Sequence, residues 1–296
     1  MIEVREATAD DRGAILRLRA RCFAGEDAEK REPRFWDWEF RGGRMFVAEE
    51  EGNVVAHLGL VAQPHVVGGM RVPAFLAVDA MTDPAYRGRQ LFAQVATYAR
   101  DALSNVAAFS GAWQIRGAVL RGITAGGWSR ADAARVLIRP ILPLRLRAGR
   151  MEPMRDVQAM SSIAGAFFGD TAHVDRTPEW LQWRYFDNPL WRYEVTGTND
   201  AYLVTRRTKL KGIETLAIVD VAWRREGDAR ALLAHALRGA RTPIAATLVT
   251  RAHPAYGWFL RRGFLPGPHR FHYLVNAFTL EGSPRWALAW GDTDHL

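Results

Sequence analysis

The residues best suited to chemistry lie between Phe75 and Ala102. An apolar run, Phe75-Leu76-Ala77-Val78-Asp79-Ala80-Met81, leads through Thr82-Asp83-Pro84-Ala85-Tyr86 into the basic turn Arg87-Gly88-Arg89-Gln90. From Leu91 the pattern becomes that of an amphipathic helix, with Leu91, Val95, Tyr98, Ala99 and Ala102 on its apolar face. A strand that turns directly into a helix leaves the first N–H groups of that helix unpaired, and they point into the turn. Such donors can receive a diphosphate. Gly88 permits close backbone approach, and Arg87 and Arg89 add charge-assisted contacts. The single acid of the strand, Asp79, is costly to bury unless it is used in chemistry or paired with a nearby arginine.

Other residue types exclude chemistry. With Cys22 as the sole cysteine the chain has no internal disulfide, thiolate zinc site or Cys-X-X-Cys pair, and Cys22 reads as a small core residue. The eight histidines show no metal-ligand spacing, His269 and His272 being an isolated pair, so no metal is expected.

The elements that must position the turn occur twice. Ile15 to Phe23 is echoed by Met160 to Phe167, Phe35 to Phe40 by Trp180 to Tyr185, and Met45 to Ala48 by Tyr193 to Thr196. Strands ending Val78-Asp79 and Val219-Asp220 precede helices near Leu91 and Leu232, and Gly126-Gly127-Trp128 is echoed by Arg262-Gly263-Phe264. Five pairs in one order point to duplication. The expected fold class is α+β, with two tandem domains, 1–148 and 149–296, each a mixed, mostly antiparallel central sheet flanked by helices. Pro140 and Pro143 should end the strand Arg135 to Ile138 or hold it at an edge.

Composition agrees with a folded, soluble chain. Of 296 residues 48% are hydrophobic and 24% charged, against disorder, and no apolar run reaches membrane-spanning length. The N-terminus lacks the layout of a signal peptide, so a cytoplasmic location is expected. The net charge of +8 is shared by both halves. Its densest part, Arg116 to Arg150, opposes many arginines with one acid, Asp132, and could meet a phosphorylated ligand or RNA.

Pro84, Tyr86, Arg87, Gly88 and Arg89, between an apolar strand and a helix, resemble the coenzyme A pyrophosphate loop of the GCN5-related N-acetyltransferase (GNAT) family. The Gly126-Gly127-Trp128 and Arg262-Gly263-Phe264 turns resemble the turn closing the last helix of that fold, and Val4 to Asp11 resembles its opening strand and helix start. The resemblance implies transfer of an acetyl or other acyl group from acyl-CoA to a small-molecule or peptide amine, with acetyl-CoA as cosubstrate. It places cofactor contacts at Met81, Arg87, Gly88, Arg89, Gln90 and Leu91, the Met81 backbone polarising the thioester carbonyl. It makes Asp79 the candidate catalytic base, which removes the ammonium proton; the alternative is that Asp79 caps or pairs with an arginine. Gln90 and Phe92 stand where the family has small residues. Ile123 and Phe259 stand where it often has a tyrosine, so no general acid is assigned.

The second copy departs further. Its turn, Trp223-Arg224-Arg225-Glu226-Gly227-Asp228, puts two carboxylates where a diphosphate would sit, so it is read as a degenerate partner that binds no CoA. Trp36, Trp38, Trp180 and Trp183 either border the acceptor site or pack helices onto the sheets. The acidic end, Asp292 and Asp294, is expected to fold over the first copy's cleft and attract a cationic acceptor. Nucleic acid and membrane are not expected partners, and a monomer suffices because the two copies form an internal pseudo-dimer. Two alternatives stay open: an aminoacyl-tRNA-dependent transferase, and a non-catalytic acyl-CoA-sensing or RNA-binding module.

Overall fold

Strands form where β-branched and aromatic residues alternate or run together, and helices where the apolar spacing changes to three and four. The computed structural model describes residues 1–23, 32–114, 126–141 and 151–293. In chain order the elements begin β1 (Ile2–Glu6), α1 (Arg12–Cys22), α2 (Pro33–Glu39), β2 (Arg44–Glu50), β3 (Asn53–Ala62), β4 (His65–Val67), β5 (Met70–Val72), β6 (Ala74–Thr82), α3 (Leu91–Leu103) and β7 (Phe109–Gln114). They continue with β8 (Ser129–Pro140), α4 (Val157–Phe168), β9 (His173–Val174), α5 (Pro178–Leu181), β10 (Glu194–Gly197), β11 (Ala201–Leu210) and β12 (Ile213–Trp223). The last are α6 (Glu226–Gly239), β13 (Ile244–Val249), α7 (Tyr256–Leu260) and β14 (Leu265–Ala277). Mixed α+β architecture with mostly antiparallel sheets is therefore as expected.

The chain divides into two units, but not at one cut near residue 149. The first holds Met1–His65, Val72–Ala131 and His272–Ser283; the second holds Val66–Arg71, Asp132–Phe271 and Pro284–Leu296. Each unit thus takes a sheet strand from a part of the sequence that a contiguous division assigns to the other. In the first unit β7 pairs with residues 272–277 of β14, Tyr273 opposite Trp113. In the second, β13 pairs with the end of β8, Ala245 opposite Arg139. Periodicity identifies such strands without identifying their partners. β8 ends at Pro140, where a residue without an N–H cannot extend the ladder.

In the first unit β1, β2, β3 and β6 are successive antiparallel neighbours, and β6 then pairs parallel with β7. That parallel register covers Ala74 to Leu76 only, so among the described residues β6 and β7 part company before Asp79. The second unit repeats the arrangement: β10, β11 and β12 run antiparallel, and β12 pairs parallel with β13 from Thr215 to Ile218, stopping before Asp220. The first core packs Leu91, Val95, Ala99 and Leu103 of α3 on Phe46, Leu58 and Leu60. The second packs Leu232 and Leu233 of α6 with Trp258, Phe259 and Phe264 on Leu203 and Ile218. No helix among the described residues is long and apolar enough to cross a membrane.

Candidate functional site

The basic turn has the conformation that its glycine allows. Pro84 to Tyr86 form one turn of 3₁₀ helix, started by the Asp83 carboxylate, which accepts from the Ala85 N–H at 3.0 Å and from Arg21 Nε at 2.8 Å. Gly88 follows at φ +84°, with no atom within 4 Å of the place a Cβ would occupy. Arg87 and Arg89 are exposed, and the Arg89 guanidinium lies 4.7 Å from the centre of the Tyr86 ring. Gln90, the N-cap of α3, has left-handed backbone (φ +58°, ψ +21°) and gives its helix no side-chain hydrogen bond. A glycine is cheapest there, which is the physical reason for a small residue at this place; a side chain costs about 1 kcal/mol. Leu91 anchors the turn below, 2% exposed. The geometry fits an anion: an open backbone, two exposed guanidinium groups and an N-cap that leaves the first N–H groups uncovered.

Asp79 sits on a kink of the strand before this turn. Its φ is +49°, and the β3 pairing shifts there, so that Asp79 and Ala80 together face Leu58. His57 Nδ1 lies 2.9 Å from the Asp79 carbonyl, and beyond the kink Met81, 2% exposed, pairs with His57. Burial, joined by the Arg19 charge, lowers the His57 ring pKa to about 4, so the ring is neutral at physiological pH and Nδ1 donates. Arg19 Nη2 reaches both oxygens of the Asp79 carboxylate at 3.0 Å and lies 3.8 Å from Glu39. Sequence reasoning found Asp79 but missed Arg19, Glu39 and His57. Arg19 was detectable in one respect: with Ile15 and Leu18 it occupies the buried stripe of α1, an odd place for a cation without a partner.

The remaining landmarks are structural. Trp36, Trp38 and Trp180 are buried, Trp36 packing on Phe40 and His57, which favours helix packing for these three. Cys22 is half-buried, its thiol directed at the Thr82 carbonyl at 3.4 Å. Phe259 is fully buried in the second unit, and Ile123 lies outside the described residues, as do Arg116, Arg121, Arg145, Arg147 and Arg150.

The second unit also pairs the equivalent acid, Asp220, with a buried arginine, but from the segment between β9 and α5, and beside a different turn. Arg176 grips Asp220 through Nε (2.8 Å) and Nη2 (3.2 Å), while Tyr185 and Tyr202 donate to the same carboxylate at 3.0 and 3.3 Å. Beyond the strand, Arg224 donates to Ser162 at 2.6 Å, and Glu226 pairs with Arg262 at 2.8 Å. Arg225 lies 3.9 Å from Asp200, and the first turn of α6 carries the acids Glu226 and Asp228.

The C-terminal expectation is overturned at Asp292. Its side chain is fully buried inside the second unit, both oxygens 3.1 Å from Arg176 Nη2, so it is no surface lure for an acceptor. Trp286 to Trp290 are buried beside it, and Asp294 lies outside the described residues. Two carboxylates thus share one guanidinium. Burial would raise both; the Arg176 charge outweighs it at Asp220, which is held below its usual range, whereas Asp292 is pushed up to about 6 by burial and by its acidic neighbour. The folded value exceeds the unfolded one of about 3.9. The contribution of Asp292 to stability is therefore full below about pH 4 and is lost as pH rises through about 6. Chemical denaturation across pH 4–7 should show Asp292→Asn removing a downward slope present in the parent chain; an unchanged slope would place the titration elsewhere.

Comparison with known proteins bears on this geometry. The family model described as an acetyltransferase (GNAT) domain matches residues 3–119. No curated protein matches the sequence. Among solved structures, a GCN5-related N-acetyltransferase from Kribbella flavida is 15% identical with a TM-score of 0.71, the match covering 94% of this chain and 72% of that one. A probable N-acyltransferase from Enterococcus faecalis is 12% identical with a TM-score of 0.70, covering 95% and 73%. An N-myristoyltransferase from Saccharomyces cerevisiae with bound myristoyl-CoA is 11% identical with a TM-score of 0.62, covering 96% and 80%. At these identities the likeness is one of fold.

Proposed function

We propose that this chain, which belongs to the GNAT family of acetyltransferases through residues 3–119, moves an acyl group from acyl-CoA to an amine acceptor, with acyl-CoA held by the first unit. The observation that carries the reading is the turn after β6: positive-φ Gly88, exposed Arg87 and Arg89, and an uncapped α3 at the end of a strand that has separated from β7. Acyl-CoA would supply the acyl group as a thioester. On this reading the turn receives its diphosphate, Arg87 and Arg89 neutralise it, and the backbone at Met81 lies where the thioester carbonyl is polarised.

The proton of the acceptor ammonium has to leave before attack, and Asp79 is the carboxylate on the reacting strand. A second reading of Asp79 has its own observation. Because Asp220, the equivalent acid beside a turn without the cradle, is likewise held by a buried arginine, though one from a different element, such a pair can serve as a scaffold that holds the kinked strand. The two readings differ in pH dependence.

The direct test is release of thiol from acetyl-CoA with a panel of amine and peptide acceptors. Absence of acceptor-dependent release, with CoA bound, would leave a sensing module; release that required aminoacyl-tRNA would favour the aminoacyl transferase. Replacing Arg87 and Arg89 together by alanine should weaken acetyl-CoA at least about tenfold, since each charge-assisted contact contributes roughly 1.5–3 kcal/mol. Calorimetry should also saturate at one equivalent, because Glu226 and Asp228 oppose a second diphosphate. Unchanged affinity would remove the cradle, and two equivalents would make the second unit competent.

A further inference from the structure

The second unit has a solvent-filled groove of about 650 Å³ whose charge nothing in the acyl-transfer reading uses. It runs along α6 between the end of β8 and the residues after α7, and five arginines line it: Arg139, Arg230, Arg238, Arg261 and Arg262. One carboxylate faces them, Glu226, and it is taken by Arg262 at 2.8 Å. Arg262 is also held in place, lying 4.1 Å from the centre of the Trp258 ring and donating to the Trp258 carbonyl at 3.1 Å. Arg139, Arg230, Arg238 and Arg261 make no ion pair with a described carboxylate.

The floor differs from the rim. Glu226, Arg230, Ala234 and Arg238 follow at intervals of four residues and so share a face of α6, with Leu233 and Leu237 beside them. Leu233, Leu237 and Ile141 give the groove an apolar floor under a cationic edge. Four uncompensated guanidinium groups around a small concavity repel one another, and a multiply charged anion relieves that repulsion. Guanidinium forks match phosphate oxygens, and the volume lies within the usual range of roughly 300–1,000 Å³ for small-molecule sites.

We propose that this groove binds a nucleoside polyphosphate, its phosphates on Arg139, Arg230, Arg238 and Arg261, the arginines not engaged by Glu226, and its nucleoside on the apolar floor, at a site separate from the Arg87–Arg89 turn. ATP is the probe, titrated into the full chain by calorimetry. One equivalent should bind, and affinity should fall as salt is raised. Arg230→Ala/Arg238→Ala should weaken ATP at least about tenfold, with the thermal transition unchanged because both side chains are exposed. Arg87→Ala/Arg89→Ala should leave ATP binding intact. Four results would overturn the proposal: no saturable binding, indifference to the Arg230/Arg238 change, loss in the Arg87/Arg89 variant instead, or a twelve-nucleotide single-stranded RNA bound more than tenfold tighter than ATP with the same arginine dependence, which would make the groove part of a nucleic-acid surface. Because its readout is ATP binding and not turnover, its failure is distinguishable from failure of the acyl-transfer reading.

Discussion

Replacement of Arg176 by methionine should cost about 3–5 kcal/mol of stability, the range found when one partner of a buried ion pair is removed. The cation is 1% exposed at its side chain and the two carboxylates are 0% exposed, so water cannot take over its role. Without it, Asp220 and Asp292 would face each other with tyrosine hydroxyls and backbone N–H groups in place of the cation, and at least one would have to take up a proton. Asp292→Asn is expected to cost much less, because Arg176 and Asp220 remain paired. Urea denaturation of the two variants at pH 7 checks the ordering. A loss below about 1 kcal/mol for Arg176→Met would show that the second unit is not organised around this charge.

Asp79→Asn should lower turnover by about 10²–10⁴-fold at neutral pH if Asp79 takes the acceptor's proton, while acetyl-CoA affinity stays the same. The deficit should shrink as pH rises toward the pKa of the acceptor amine, since the amine then loses its proton without help. A scaffold role has a different signature. Asparagine would take from Arg19, 3% exposed, the carboxylate 3.0 Å away and leave Glu39 at 3.8 Å, so stability would fall and any loss of rate would not recover with pH. Rates near those of the parent chain at pH 7, with a lowered unfolding midpoint, would end the base assignment and keep the scaffold one.

Sequence alone determined the local features. The turn at Arg87–Gln90 was legible because its chemistry is contiguous: glycine conformation, charge and the change from strand to helix spacing are properties of neighbouring residues. The recurring order of local landmarks that suggests a duplication is read in the same way, and the end of β8 at Pro140 was legible too. Tertiary structure decided partnership. That residues 272–277 pair with β7 while residues 135–140 pair with β13 depends on long-range register, which alternating apolar residues do not encode. Asp292 lies 116 residues beyond Arg176, and only folding brings its carboxylate to a buried guanidinium instead of to solvent. Arg19 and Asp79, 60 residues apart, meet for the same reason. A charge buried in a core has no local signature except its cost, and the partner that offsets that cost can come from anywhere in the chain.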